Sequence, residues 1–333
     1  MMPPATAHAP SRSTVAMSAG VIESPGRAAA LRVPQPEPGP GQVRVRVEGC
    51  GVCGSSLPVW EGRQWFEYPL GPGAPGHEGW GTIDAIGDAV EDWGVGDRVA
   101  FLGTNSFAEY DVADSHALAR IPDALAGLAF PGEALACAVN AFRRSNIRAG
   151  ETVAVVGVGF LGAVLVQLAS RAGARVVAFS RRPFALEVAR AMGAAEVGSA
   201  EDAARAVVHV RELTDGVGAD CVIEVTGLQG PLDLATDLTR ARGRLVIAGY
   251  HQDGLRTVNL QLWNWRGLDV INAHEREPRV YVDGIRAAAD LVASGGLEPG
   301  SLYTHTLPLG RLGVALELLR TRPDGFLKAL VVP

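Results

Sequence analysis

Hydrophobic and polar positions alternate strictly over residues 42–48, where Val43, Val45 and Val47 stand between polar residues. Further short runs that predict strands follow at 81–87, 97–102 and 107–112. A period of two is typical of half-buried strands, and turns rich in glycine and proline separate the runs. The pattern predicts a small, mostly β domain that ends in a helix over residues 131–144.

A different pattern begins near residue 143, where apolar runs alternate with segments of helical period. Strands are predicted at 153–156, 175–180, 196–197, 220–225, 243–248 and 268–272, with helices at 183–192, 200–214, 231–239 and 280–293. Such alternation predicts an α/β fold with a doubly wound parallel sheet. A helix near 312–319 and a strand over 327–332 are expected to return to the first domain.

These patterns divide the chain into three parts. Residues 1–18 are rich in Ala, Pro, Ser and Thr without periodicity and are expected to form a flexible tail. Residues 19–142 together with 295–333 would form the β domain, and residues 143–294 the α/β domain. A chain of 333 residues is long enough for two such domains.

Composition narrows the classes of function. The hydrophobic content is 47%, and the net charge of −6 is spread over interspersed acidic and basic residues, which disfavours partners such as nucleic acid or an anionic membrane. The sequence has no apolar run of about 18 residues and no hydrophobic signal core, so we expect a cytoplasmic protein. The four cysteines are too few and scattered for a disulfide framework.

Three glycines lie between the first α/β strand and its helix. Gly157, Gly159 and Gly162 have the spacing G-x-G-x-x-G, and the next strand follows about 20 residues later. The first glycine permits a sharp turn, the second admits a pyrophosphate, and the third allows close packing, with helix N–H groups facing the phosphates. We therefore predict a Rossmann dinucleotide site that includes Phe160 and Leu161; the alternative is an ordinary βαβ crossover.

The end of the second α/β strand indicates which cofactor binds. NAD-specific proteins place an acidic residue there to bind the ribose hydroxyls. Here the position is Ser180, followed by Arg181 and Arg182, whose guanidinium groups suit a 2′-phosphate. NADP(H) is therefore predicted over NAD(H), unless both arginines are solvated loop charges.

Several residues of the β domain could bind one metal ion. Cys53, His77, Glu78 and Glu133 offer a thiolate, an imidazole and carboxylates, which are typical ligands of a catalytic zinc. Taken alone they leave open that Cys50 and Cys53 are buried structural thiols and that His77 is a loop histidine.

Taken together, these motifs resemble the medium-chain dehydrogenase/reductase family of zinc alcohol and polyol dehydrogenases. The resemblance extends from about residue 17 to residue 333 and rests on residues 51–55 (GVCGS), 76–78 (GHE), 94–99 (GVGDRV), 157–162 (GVGFLG), 218–227 (GADCVIEVTG) and 323–328 (PDGFLK). It implies a GroES-like catalytic domain beside the Rossmann domain. It also implies zinc binding by Cys53, His77, Glu78 and Glu133, with Cys50 not a ligand and Cys137 in the core.

The chain departs from the family pattern in two places. Relatives carry a structural-zinc lobe with four cysteines just after the position of residue 102. Residues 103–109 of this chain contain no cysteine, so one zinc per subunit is predicted. Ser55 matches the hydroxyl that first accepts the substrate proton, but Pro58 replaces the relay histidine, so the proton must leave by water, the nicotinamide ribose or another route.

The resemblance also implies further contacts and an activity. Thr226 and Lys328 are expected at the cofactor, and Trp60, Trp65 and His274 at the substrate pocket. The implied activity is zinc-dependent hydride transfer between NADP(H) and a secondary alcohol or polyol, or the corresponding ketone, in a homodimer or homotetramer. The alternatives are a redox-neutral zinc lyase or isomerase, and a zinc-free NADPH quinone or enoyl reductase.

Overall fold

The computed structural model describes residues 15–333 and begins with an antiparallel hairpin. Most of the predicted tail lies outside the described residues, but Ala16, Met17 and Ser18 belong to the first strand, so the tail prediction was wrong there. Met17 is buried against Ala19 and Ala108, and this packing holds the segment in place.

The first domain is mostly β, as predicted. Its elements are β1 (Ala16–Ser24), β2 (Arg27–Pro34), β3 (Gln42–Gly51), α1 (Leu57–Trp60), β4 (Glu78–Ile86), β5 (Arg98–Phe101), β6 (Tyr110–Asp114), β7 (Leu118–Arg120) and α2 (Gly132–Ser145). Strands β3 and β4 pair antiparallel, so the end of β3 lies beside the start of β4, with Gly51 opposite Glu78. Residues just beyond these two ends are therefore neighbours in space.

The second domain alternates strands and helices throughout. Its elements are β8 (Thr152–Val156), α3 (Phe160–Arg171), β9 (Arg175–Ser180), α4 (Pro183–Ala191), β10 (Glu196–Ser199), α5 (Ala203–Leu213), β11 (Ala219–Glu224), α6 (Gln229–Leu238), β12 (Thr239–Ile247), α7 (Leu260–Arg266), β13 (Asp269–Asn272) and α8 (Pro278–Ala293). The sheet is parallel in the order β10-β9-β8-β11-β12-β13. The predicted Rossmann fold is confirmed, and the strand order reverses between β8 and β11, where such sheets bind ligands.

The end of the chain returns to the first domain. Its elements are β14 (His305–Pro308), α9 (Leu312–Thr321) and β15 (Ala329–Val332). Strand β15 pairs with β3 through Leu330 opposite Gly51, which places the C-terminal segment beside the β3–β4 ends. Among the described residues, no helix has both the length and the apolar character needed to cross a bilayer.

Candidate active site

The three predicted glycines form a cradle between β8 and α3. Gly157 has φ +106°, a conformation that favours glycine, and a β-carbon on Gly162 would lie 2.0 Å from the carbonyl oxygen of Gly157. A β-carbon on Gly159 would have no neighbour within 4 Å, so this face of the backbone is open. The helix starts at Phe160, and its first N–H groups have no intrahelical acceptor. The geometry fits a pyrophosphate on the helix N-terminus.

The opposite wall of the cradle is organised by a buried carboxylate that the sequence analysis missed. Glu224 ends β11 with no exposed surface and accepts hydrogen bonds from the Thr226 N–H and hydroxyl, both at 2.5 Å, and from the Gly227 N–H at 2.9 Å. Because the Thr226 hydroxyl donates to Glu224, Thr226 shapes this wall, and its methyl group lies 2.5 Å from where a β-carbon of Gly157 would be. The available signal was a carboxylate directly after the apolar run over residues 221–223.

At the end of β9, the two arginines differ in their surroundings. Ser180 is buried and accepts a hydrogen bond from the Arg182 N–H at 3.2 Å. The Arg182 guanidinium donates to the carbonyls of Phe326 at 2.7 Å and Val158 at 3.4 Å, so it holds the C-terminal segment against the cradle. Arg181 is exposed. The predicted phosphate role therefore suits Arg181, whereas Arg182 donates to the protein's own backbone.

The predicted metal ligands meet where β3 ends and β4 begins. The donor atoms of Cys53, His77 and Glu78 all lie within 4.8 Å of one another. Cys53 follows β3 by two residues and His77 precedes β4 by one, so strand pairing brings them together. Cys53 and His77 are only half-buried, which leaves this group open on one side.

Hydrogen bonding and charge orient the histidine. His77 Nδ1 lies 2.8 Å from the Pro75 carbonyl and donates to it, so Nε2 faces the cluster. Burial alone would lower the pKa of His77, but the Cys53 thiolate, followed by Glu133 and Glu78, raises it to about 10. His77 therefore lies among groups whose negative charge favours its protonated form.

Glu133 lies close to this group but is not a member of it. It occupies the first turn of α2, where its carboxylate accepts a hydrogen bond from the Cys137 thiol at 3.3 Å. Burial raises the pKa of Glu133, while His77 opposes this shift. Cys137 lies one helical turn beyond Glu133, to which its thiol donates, and its sulfur is 4.0 Å from the Tyr281 hydroxyl.

This donor set fits zinc. It combines a thiolate, an imidazole and a carboxylate, a small number of ligands that leaves room for a substrate oxygen. Oε2 of Glu78 is buried and makes no hydrogen bond of good geometry, although the Lys328 ammonium is 2.5 Å away.

Comparisons with known proteins identify the family of the chain. One family model, an alcohol dehydrogenase GroES-like domain, matches residues 39–123, and another, a zinc-binding dehydrogenase, matches residues 161–289. The (R,R)-butanediol dehydrogenase of Bacillus subtilis is 30% identical in an alignment of 243 positions, which covers 62% of this chain and 70% of that protein. The chain belongs to the zinc-dependent medium-chain dehydrogenase/reductase family.

Two further relatives cover nearly the whole of this medium-chain dehydrogenase. The sorbitol dehydrogenase of Halalkalibacterium halodurans is 27% identical over 92% of this chain and 96% of that protein. The crystal structure of a candidate zinc-binding dehydrogenase from Sinorhizobium meliloti, bound to NADP, superposes with a TM-score of 0.83. It is 28% identical, with coverage of 96% of this chain and 100% of that one. The protein is thus an oxidoreductase of the alcohol dehydrogenase type.

Lys328 lies elsewhere in this dehydrogenase than the sequence predicted. Its ammonium group is buried and donates to Glu78 Oε1 at 2.7 Å and to the Val52 carbonyl at 3.2 Å, with the Phe160 ring centroid 4.9 Å away. Burial would lower the pKa of Lys328, but the Glu78 carboxylate raises it. A lysine held in this way supports the metal cluster rather than contacting a pyrophosphate.

Gly51 is a second residue that supports the cluster. A β-carbon at Gly51 would lie 1.8 Å from Glu78 Oε2 and 3.0 Å from Lys328 Cε. The Glu78 carboxylate can therefore occupy its position because residue 51 has no side chain.

We expect Gly51→Ala to displace Glu78 and weaken metal binding in the folded protein. Zinc content after dialysis should fall well below that of the parent protein. Gly54→Ala is the matched control, because a β-carbon at Gly54 would meet nothing within 4 Å. Equal zinc content in both variants would contradict the role assigned to Gly51.

The residues expected to handle the substrate proton flank the same cluster. Ser55 Oγ lies 3.4 Å from His77 Nε2, which places the Ser55 hydroxyl beside the cluster. Pro58 is buried in α1 and has no side-chain proton to transfer.

The predicted substrate-pocket residues fall in different environments. Trp60 is buried in the catalytic-domain core and donates from Nε1 to Glu317 on α9 at 3.2 Å, so its role is packing and the pocket prediction was wrong. Trp65 is 56% exposed beside Phe66. His274 follows β13 and stacks on Tyr250, with ring centroids 5.0 Å apart; burial lowers the pKa of His274.

Proposed function

We propose that this protein transfers a hydride between NADP(H) and a secondary alcohol or polyol, or the corresponding ketone, at a single catalytic zinc. The observation that carries the proposal is the half-open cluster of Cys53, His77 and Glu78 in a chain that also has a dinucleotide cradle. Relatives named for sorbitol and butanediol favour substrates with neighbouring hydroxyl groups.

The proposed chemistry assigns a separate task to each residue. Bound zinc would supply a Lewis acid that makes an alcohol proton labile or polarises a carbonyl. Cys53 and His77 would hold it, with Glu78 and Glu133 as the carboxylates that can complete the set. Ser55 Oγ, at 3.4 Å from His77 Nε2, would accept the proton that a substrate hydroxyl loses while its own hydroxyl proton passes to water. The cradle residues Gly157, Gly159 and Gly162 would hold the nicotinamide cofactor.

The preference for NADP(H) rests on the end of β9. Ser180 occupies the position where NAD-specific proteins carry an acidic residue, which would repel a 2′-phosphate. The next residue, Arg181, is exposed. The related Sinorhizobium meliloti protein was crystallised with NADP, which supports the same choice here.

Arg181→Ala is expected to raise the KM for NADPH about 10- to 100-fold, because charge-assisted hydrogen bonds contribute about 1.5–3 kcal/mol. The KM for NADH should stay within about twofold, since NADH has no 2′-phosphate. Arg190→Ala, an exposed arginine at the end of α4, is the control and should change neither constant. Equal increases for both cofactors would refute the assignment.

The whole function can be tested in one purified sample. Zinc per subunit is measured by mass spectrometry, and the absorbance of reduced nicotinamide is followed with a panel of polyols, secondary alcohols and ketones. We expect one zinc and cofactor-linked turnover. Zinc without any absorbance change would instead support the redox-neutral lyase or isomerase, and turnover without zinc the quinone or enoyl reductase. The cytoplasmic location and homo-oligomeric state stay predictions of the sequence.

A further inference from the structure

A tight turn after α9 carries an arginine in an unusual backbone conformation. Arg322 caps the helix with φ +45° and ψ +58°, the left-handed region that helix ends usually fill with glycine. The Phe326 N–H then bonds to the Pro323 carbonyl at 3.1 Å, which closes the turn. An arginine here is not explained by backbone preference.

The turn is fastened to the cofactor cradle. Arg182 donates to the Phe326 carbonyl within the turn and to the Val158 carbonyl within the cradle. The turn belongs to the C-terminal part of the catalytic domain, whereas Val158 and Arg182 belong to the Rossmann domain. The end of β9 and residues 322–326 therefore form one corner beside the cofactor cradle.

Arg181, Arg182 and Arg322 all lie near this corner, because Arg181 precedes Arg182 at the end of β9 and Arg322 begins the turn whose Phe326 carbonyl accepts from Arg182. Burial lowers the pKa of Arg322, and the neighbouring charge of Arg181 lowers it further. Burial likewise lowers the pKa of Arg182. The positive charge of Arg322 lowers it further, whereas the negative charge of Asp324 raises it. The Arg182 side chain donates to the main-chain carbonyls of Phe326 and Val158. The Arg322 side chain donates to the main-chain carbonyl of Leu319. These acceptors do not neutralise the cationic charge that accumulates here.

We propose that Arg322 is a specificity-determining residue for NADP(H), which binds the 2′-phosphate together with Arg181 across the domain boundary. Arg182 is a positioning residue that holds the turn in place. The inference rests on the proposed cofactor preference and extends it, because the phosphate would be held by both domains instead of by the β9 loop alone. A dianionic phosphate would relieve the repulsion between the two arginines.

The test uses two nucleotides that differ only in the 2′-phosphate. Dissociation constants of 2′,5′-ADP and 5′-AMP are measured by calorimetry for the wild-type protein, Arg322→Gly and Arg181→Ala. Glycine suits the left-handed conformation at position 322, so Arg322→Gly should fold normally. Arg311→Gly removes the same charge from the other end of α9 and is the control.

We expect Arg322→Gly to weaken binding of 2′,5′-ADP about tenfold or more and to leave 5′-AMP within about twofold. Loss of affinity for both nucleotides, or for neither, would overturn the role of Arg322. Two results separate this proposal from the cofactor assignment. If the wild-type protein binds both nucleotides equally, the NADP(H) preference itself fails. If the preference exists and depends on Arg181 but not on Arg322, only the present inference fails.

Discussion

Replacing Cys53 by alanine is expected to remove both bound zinc and dehydrogenase activity. Cys53 is the thiolate of the three-residue donor group, and its negative charge is the main interaction that raises the pKa of His77. Without it, the three-residue group keeps one imidazole and one carboxylate that already pairs with Lys328, and Glu133 is the remaining nearby carboxylate. A catalytic metal lowers the activation free energy by several kcal/mol. Loss of the metal should therefore lower kcat/KM at least about 10³-fold.

The control is the other half-buried thiol near the site. Cys137 donates to Glu133 from within α2, where alanine is a favourable helix residue. Cys137→Ala should keep its zinc and most of its activity, as measured by metal analysis and cofactor absorbance. If both variants lose zinc to the same extent, Cys137 belongs to the ligand set and the assignment of Cys53 as the sole thiolate ligand is wrong.

Local rules explain why much of the fold was predictable. The cradle needs glycine at position 157 because φ is positive there. It needs glycine at position 162 because a β-carbon would meet the Gly157 carbonyl oxygen, so both requirements are visible as glycines in the sequence. Strand and helix periods likewise predicted the parallel sheet. Strands β1 and β2 were missed because neither alternates cleanly: in β1 four consecutive residues are buried, and β2 is mostly exposed.

The roles that could not be predicted depend on contacts between distant parts of the chain. Glu78 and Lys328 are 250 residues apart and meet only because β15 pairs with β3. Trp60 follows the zinc cysteine closely, yet its indole is held by Glu317 on α9. Arg182 would suit a phosphate by its sequence position, but its guanidinium donates to Phe326, 144 residues away. Sequence spacing alone contains none of these pairings.

The buried pair of Glu78 and Lys328 leads to the second large expected effect. Lys328→Met removes the ammonium and leaves the carboxylate, which is 1% exposed, without its cation. In the metal-free protein this change should lower the free energy of unfolding by about 3–5 kcal/mol, the usual cost of breaking one side of a buried ion pair. Urea unfolding followed by tryptophan fluorescence measures it. Arg286→Met is the control, because its exposed pair with Asp283 should contribute under about 1 kcal/mol.

A double replacement decides why the single change is harmful. If the loss comes from an uncompensated buried charge, adding Glu78→Gln to Lys328→Met should restore most of the stability, since a neutral amide is far cheaper to bury than a carboxylate. If the lysine mainly fills space between Val52 and the Phe160 ring, methionine already replaces that volume and the single variant should be as stable as Arg286→Met. A large loss that Glu78→Gln does not reverse would contradict both explanations. Restored stability without restored zinc binding would identify Glu78 as a carboxylate retained for the metal at a cost that Lys328 offsets.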